Sequence, residues 1–327
     1  MLPRFELYMP TDITEACRLK AEGAKPVAGG TDVYVDMYGG KKVPEKVLDI
    51  KNLKELQGAR FDSKKGLDLG ALTSHRMIEE WDKIKQYYFA MFKGCSQVGS
   101  VQIRYRGTLG GNIMNGAPSA DSIGPMLVFD AKCVTVGPKG EREIPLSDYY
   151  VGFKKFDIKD DELLARIRIP LPPENSGSAY FKYTRRNAMD LALMGVSAYV
   201  ECSEDNVLSN VRIALTTAGP TPMRAHSAEQ LLEGQKVTDE LITKAGEIVE
   251  AEGKPRSSWR SSAEFRKRLL HDITIVVLHE AIERAKKPYA EKVKEIPMRL
   301  YPGLDGPKTR EKADAERKAK GCEDLWN

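Results

Sequence analysis

The sequence predicts a two-domain protein of mixed helices and strands, and three observations carry that reading. Short strand-like and helix-like segments alternate over the first 60 residues and recur up to Ile169. The run Leu171-Pro172-Pro173-Glu174-Asn175-Ser176-Gly177 then breaks the chain, because two prolines and a glycine stop both a helix and a central strand. Beyond it come three consecutive strand candidates and one long apolar helical stripe.

The elements follow in order. Pro26-Val27-Ala28 runs into Gly29-Gly30 as a first strand, and Val47-Leu48-Asp49-Ile50 reads as a second. Leu67-Asp68-Leu69 lies between Gly66 and Gly70, after which Thr73 or Ser74 caps a helix running toward Trp81. A glycine-rich, charge-free segment spans Gly107 to Ala120, and Ala131 to Val136 reads as a strand. From Leu164 to Ile169 apolar residues alternate with Arg166 and Arg168, which suits a half-buried strand. After the break, strands are predicted at 179–183, 192–201 and 207–217. Phe265, Leu269, Ile273, Val277 and Ala281 recur every four residues and place one stripe along a helix of roughly six turns. From Lys287 to Asn327 the chain is charged, carries four prolines and has no durable period, as expected of an extended arm or a disordered tail.

Composition narrows the function. The 327 residues suffice for two domains at about 150 residues each. No charge-free stretch exceeds the 14 residues from Gly107 to Ala120, short of the about 20 that a membrane span needs. The chain reaches Glu6, Asp12 and Glu15 with no apolar run between them, which predicts a cytoplasmic protein without a secretory signal. Of the net charge of +4, the segment from Lys286 onward supplies +3 through 11 basic and 8 acidic residues, so the body is nearly neutral and lacks the basic stripe of a nucleic-acid binder. Cys17, Cys95, Cys133, Cys202 and Cys322 are odd in number and no two lie closer than 38 positions, which suggests neither a disulfide framework nor a metal knuckle. His75, His226, His271 and His279 have no metal-ligand spacing, and hydrolase, Rossmann and P-loop motifs are missing.

What remains is a pair of glycine doublets, Ala28-Gly29-Gly30-Thr31-Asp32 and Thr108-Leu109-Gly110-Gly111-Asn112. Consecutive glycines let successive backbone N–H groups converge on an anion, so two such nests would clamp one diphosphate from two sides. Thr31 and Thr108 would add hydroxyls, and Asn112 an amide. Glycine pairs also occur in ordinary turns, and either doublet alone is compatible with that reading.

Four segments place the doublets in a wider pattern: VAGGTDV (27–33), QIRYRGTLGGNI (102–113), PSAD (118–121) and FKYTRRNAMDLAL (181–193). In order and separation the chain resembles the FAD-binding medium subunit of the xanthine dehydrogenase, carbon monoxide dehydrogenase and 4-hydroxybenzoyl-CoA reductase family of molybdenum hydroxylases, over about residues 1–285. RRNAMDLAL points to the branch of the last two. The resemblance implies a vanillyl-alcohol-oxidase (PCMH) type FAD domain over 1–174, with subdomains at about 1–60 and 61–174. A C-terminal α+β domain with a three-stranded sheet follows over 175–286; the charged tail or arm at 287–327 lies beyond the resemblance. It implies that Val27, Ala28, Gly29, Gly30, Thr31, Asp32 and Val33, with Thr108, Leu109, Gly110, Gly111 and Asn112, bind the FAD diphosphate. Asp121 would contact the adenosine side, and Leu164 and Lys182 would lie near the isoalloxazine ring. Val98 stands where xanthine dehydrogenase stacks a phenylalanine, so stacking on that face is weaker or comes from another residue. Plain core packing is the competing reading for Leu164 and Val98.

Lys182, Arg185 and Arg186 read either as a solvated basic face or as cations that tune the flavin potential, and Asp190 borders them with its role open. The resemblance further implies an electron-transfer role without catalytic residues of its own. Partners would be a molybdopterin-binding large subunit and a small ferredoxin-like iron–sulfur subunit, assembled as a dimer of heterotrimers. A stand-alone FAD oxidase or reductase of the same superfamily, and an assembly subunit that has lost FAD, are the alternatives. Between Gly107 and Ile169 only Cys133 is present, whereas the reductase branch holds an additional iron–sulfur cluster there, which needs four clustered cysteines. The isolated chain is therefore expected to carry no iron or sulfide by metal analysis; stoichiometric iron would show that distant cysteines converge.

Overall fold

The computed structural model describes residues 2–41 and 43–292. The expected arm beyond Lys292 lies outside the described residues, as does Cys322. The N-terminal unit alternates β1 (Glu6–Tyr8), α1 (Ile13–Ala21), β2 (Lys25–Val27), α2 (Val33–Tyr38) and β3 (Lys46–Asp49), and its strands pair in parallel in the order β1-β3-β2. Asp12 starts α1 by accepting the Glu15 N–H at 2.9 Å.

A second sheet opens with β4 (Ala59–Asp62) and β5 (Gly66–Gly70). Six helical segments follow: α3 (His75–Glu80), α4 (Asp82–Tyr87), α5 (Phe89–Ser96), α6 (Val101–Arg106), α7 (Leu109–Asn115) and α8 (Ile123–Val128). The chain returns through β6 (Lys132–Gly137), β7 (Gly140–Pro145), α9 (Leu146–Tyr149), the small ribbon β8 (Tyr150–Gly152) and β9 (Lys155–Phe156), and β10 (Leu163–Ile169). The sheet is antiparallel in the order β4-β5-β10-β6-β7, so the alternating strand foreseen at 164–169 is its centre. Its polar positions are used: Arg166 Nε reaches Asp68 at 2.5 Å and Arg168 reaches Glu143 at 3.1 Å. Ser74, not Thr73, caps α3, accepting the Met77 N–H at 3.1 Å.

The glycine-rich segment departs from expectation. Leu109-Gly110-Gly111-Asn112 is the first turn of α7, capped by Thr108, whose Oγ1 accepts the Gly111 N–H at 3.0 Å. A Cβ on Gly110 would lie 2.6 Å from Ala71 Cβ and 2.8 Å from its carbonyl oxygen, so glycine here serves close packing of α7 on the end of β5.

After the proline break, β11 (Ser176–Tyr183), β12 (Met194–Cys202) and β13 (Leu208–Thr216) form an antiparallel sheet. A two-residue edge strand, β14 (Met223–Arg224), extends it to four. The helices α10 (His226–Leu232), α11 (Asp239–Glu252) and α12 (Ala263–Ala285) complete the unit. Leu269, Ile273, Val277 and Ala281 are buried, as the four-residue period predicts, and Phe265 is half-exposed at the start of the stripe. The segment expected to leave the body at Lys287 instead stays packed to Lys292: the Tyr289 hydroxyl donates to the Pro172 carbonyl, and Lys292 Nζ donates to the carbonyls of Glu174 and Ser176. Among the described residues no helix is long and apolar enough to cross a membrane.

Helix α12 meets β11 backbone to backbone. A Cβ on Gly177 would fall 2.0 Å from the Ala281 carbonyl oxygen and 2.4 Å from the Ala285 nitrogen. Gly177→Ala is expected to destabilise the chain by about 3 kcal/mol, read as a lower urea midpoint. An unchanged midpoint would show that helix and strand separate cheaply.

Candidate functional site

A cleft of about 1100 Å³ is walled by the β2–α2 loop, by the segment around α6 and α7, by the β8–β9 ribbon and by the loop between β11 and β12. Every residue of the first doublet from Val27 to Val33 lines it. Gly30 has φ +75°, and a Cβ there would strike the Tyr34 ring at 2.4 Å, so this turn needs glycine. Gly29 passes so close to α6 that a Cβ would lie 1.8 Å from the Arg106 carbonyl oxygen. The backbone N–H groups of Gly29, Gly30, Thr31, Asp32 and Val33 find no acceptor among the described residues. Five consecutive amides without a partner are the donor set an anion needs.

The second doublet is different. Leu109 N–H donates to the Thr73 carbonyl and Gly110 N–H to the Ala71 carbonyl, both at 2.9 Å, Gly111 N–H to Thr108 Oγ1, and Asn112 N–H to the Thr108 carbonyl at 2.9 Å. Two of the four donors dock α7 on the segment after β5 and two close its first turn, so the geometry is one open nest facing one helix wall rather than two nests. Asn112 has its own partner, Ser122 Oγ at 2.7 Å. Asn115, which the sequence reading passed over, donates to Asp32 Oδ1 at 2.9 Å and ties the first loop to the end of α7. Burial and the neighbouring Asp36 push the Asp32 carboxyl above its ordinary range.

Asp121 lines the cleft at 7% exposure. The Tyr180 hydroxyl donates to its Oδ1 at 2.8 Å, and Lys182 Nζ to its Oδ2 at 2.7 Å. Lys182 also donates to the Gln97 carbonyl at 3.0 Å and is not on the cleft wall. Asp121, expected on the adenosine side of the cofactor, and Lys182, expected near the isoalloxazine ring, are thus joined in one pair, with Asp121 on the cleft wall and Lys182 behind it. Leu164 is buried in the core and does not line the cleft, so core packing is the observed state of its side chain. Val98 does line it, half-buried, beside Gly99 and Ile103. The cleft wall also carries two rings absent from the sequence reading of the site, His75 and Phe156, and Phe156 is braced by Tyr149 and Tyr150.

In the β11–β12 loop, Asp190 accepts the Arg185 N–H at 3.2 Å and lies 3.6 Å from the Arg186 guanidinium. Met189, Asp190 and Leu191 line the cleft, whereas both arginine side chains are exposed and neither is on its wall. The solvated-face reading describes them. Cys17, Cys95, Cys133 and Cys202 are each buried, and no metal-binding group of histidines, cysteines and carboxylates occurs among the described residues.

A parallel-sheet unit joined to an antiparallel sheet, with an open nest on a dinucleotide-sized cleft, defines a class of nucleotide-cofactor proteins. Residues 3–172 match the family described as FAD binding domain in molybdopterin dehydrogenase, and residues 179–281 match the CO dehydrogenase flavoprotein C-terminal domain. The chain belongs to this family of FAD-binding molybdopterin dehydrogenase subunits. It is 36% identical over 276 residues to the xanthine dehydrogenase FAD-binding subunit of Escherichia coli O157:H7, covering 84% of this chain and 94% of that one. To the carbon monoxide dehydrogenase medium chain of Afipia carboxidovorans it is 32% identical, covering 88% and 98%. Carbon monoxide dehydrogenase from Hydrogenophaga pseudoflava superposes with a TM-score of 0.83 at 28% identity, covering 87% and 99%. Identity to the xanthine dehydrogenase subunit is no lower than to the carbon monoxide one, so RRNAMDLAL does not single out the latter's branch.

Two buried groups on the cleft titrate with opposite sign. Burial, reinforced by the charge of Arg104, pushes His75 down from 6.5 to about 4, and burial pushes Asp121 up from 3.8 to about 6 against the pull of Lys182 and Tyr180. The His75 contribution to stability is complete above pH 6.5 and lost as pH falls through 4. That of Asp121 is complete below pH 3.8 and lost as pH rises through 6. Relative to wild type, His75→Gln is expected to gain Tm as pH falls from 7 to 4, and Asp121→Asn to gain as it rises from 4 to 7. Flat differences in both melts would refute the burial account.

Proposed function

We propose that this chain is the FAD-carrying electron-transfer subunit of a molybdenum-containing hydroxylase complex, passing electrons between the iron–sulfur clusters of a partner subunit and an external acceptor. The observation that supports this reading best is the run of five amides from Gly29 to Val33 without an acceptor on the wall of a cleft of about 1100 Å³, at the upper edge of the roughly 300–1,000 Å³ usual for small-ligand sites. Bound FAD supplies the capacity to take up two electrons and release them singly.

The chain's own residues bind and orient. The amides of residues 29–33 hold the diphosphate, and Thr31 adds a hydroxyl donor beside them. Thr108 to Asn112 shape the opposite wall by packing, and Val98 and Phe156 present apolar surface to the ring system. Asp121, fixed by Tyr180 and Lys182, sets the local field at one end of the cleft. His75 is held neutral by burial, and the two donors on Asp121 favour its carboxylate and fix its orientation, so both position rather than move protons. Substrate chemistry then falls to another subunit.

That relatives are named as subunits or medium chains supports partner subunits; we assign these as a molybdopterin-binding large subunit and a small ferredoxin-like one, assembled as a dimer of heterotrimers in the cytoplasm. We divide the chain into an FAD domain over 1–174, with subdomains meeting near residue 60, and a C-terminal domain from 175 whose packing runs to Lys292.

The test combines binding with relay. Purified chain should be yellow, should reduce no dye with organic substrate alone, and should do so once both partner subunits are added. Gly30→Ala should keep its circular dichroism spectrum yet hold FAD at least about tenfold more weakly, since the left-handed turn that aligns the amides is lost. Turnover by the isolated chain at the rate of the complex would overturn the relay, and wild-type flavin affinity in Gly30→Ala would overturn the nest.

A further inference from the structure

Outside the cleft, the loop that supplies Met189 and Leu191 to its wall also reaches a distinct surface. Arg185 stacks on Trp259 with 4.8 Å from guanidinium carbon to ring centroid, and Arg260 approaches the same ring at 5.6 Å. Trp259 is 82% exposed, on a turn closed by hydrogen bonds between Ser258 and Ser261. Next to it, Arg266 is buried, donates to the Leu193 carbonyl and Ser258 Oγ, and lies near enough to Arg260 and Arg256 to feel their charge. Between Lys254 and Arg268 the sequence carries six basic residues and one acidic residue, Glu264. No carboxylate lies within ion-pair distance of Arg256, Arg260 or Lys267 among the described residues.

This is an aromatic centre, with Met189, Leu191 and Phe265 also exposed, inside a basic rim in which, among the described residues, Arg256, Arg260 and Lys267 have no carboxylate partner and Arg268 pairs with Glu264. Obligate interfaces are large and mainly apolar, whereas brief electron-transfer encounters bury little surface and depend on charge steering. A basic rim on so small an apolar centre matches the second kind and calls for an acidic partner. Its loop borders the cleft, so a carrier seated there is brought next to the cofactor.

We propose that this face is the docking surface of the external electron acceptor, a small one-electron carrier protein with an acidic surface. The inference rests on the relay reading above. Oxidation of one substrate molecule by two electrons reduces two carrier molecules in succession, with protons released to solvent, and no other oxidant is needed.

The test uses the assembled complex with an acidic two-iron ferredoxin as the probe. Wild-type complex should reduce it, with kcat/KM falling as salt is raised. The double variant Arg256→Glu/Arg260→Glu should raise its KM at least about tenfold at low salt, and Trp259→Ala several-fold, with flavin content and substrate-driven dye reduction unchanged. An unchanged KM, or no ferredoxin reduction by wild type, overturns the docking proposal, as does loss of co-purifying partner subunits from the variants, which would make this face part of the complex itself. Failure of the relay reading is separable, because it abolishes dye reduction by the wild-type complex.

Discussion

The approach of Gly29 to the Arg106 carbonyl is the contact on which the cleft depends. It brings the loop of a parallel β-α-β unit onto the end of α6 at a separation no side chain permits. The next residue, Gly107, accepts the His75 N–H through its carbonyl at 3.0 Å, so three backbone segments are stacked in one wall. With Gly29 held there and Gly30 turned to positive φ, the following amides cannot fold back on their own chain. They are left to an outside acceptor because the packing beneath them is complete.

The same logic explains what was legible in the sequence. The doublets Gly29-Gly30 and Gly110-Gly111 look alike as strings, yet one is an open nest and the other a helical turn. A glycine reports that something comes close, not whether it is a ligand or the protein's own backbone. At Gly110 the neighbour is Ala71, and its carbonyl takes the amide that an anion would have used. Strand β10 was readable because alternating burial enforces its period of two, and helix α12 because Leu269, Ile273, Val277 and Ala281 keep one continuous buried row. The short helices between Asp82 and Arg106 were not, since none exceeds eight residues and no period accumulates. Asp121 and Lys182 were found as residues but not as a pair, because 61 positions separate them and only the fold brings them within 2.7 Å.

That pair also shows how the cleft tolerates charge. A carboxylate at 7% exposure is costly alone, and the ammonium and phenol offset part of the cost. Beside the open amides, a second uncompensated negative charge would repel an anionic ligand. Asp190, by the same means, is bound to its own loop through the Arg185 amide and the Arg186 guanidinium. Asp32, Asp121 and Asp190 on this wall are thus answered within the protein, and the donors left over are the backbone N–H groups of one loop.

Charge is arranged oppositely on the outer face. The first 285 residues carry a net charge of only +1, so the basic surplus between Lys254 and Arg268 is a matter of placement rather than of excess. A nearly neutral body that gathers arginines around one exposed tryptophan makes a local field within a Debye length of about 8 Å at physiological salt. Such a field adds little to stability and carries a desolvation cost at Arg266, which is buried without a carboxylate. Its physical effect is on encounter: it orients an oppositely charged partner over the loop that ends in the cleft. Inside, the protein spends backbone donors on holding one ligand in place, and outside it leaves side-chain charge exposed, where speed of exchange matters more than strength of hold.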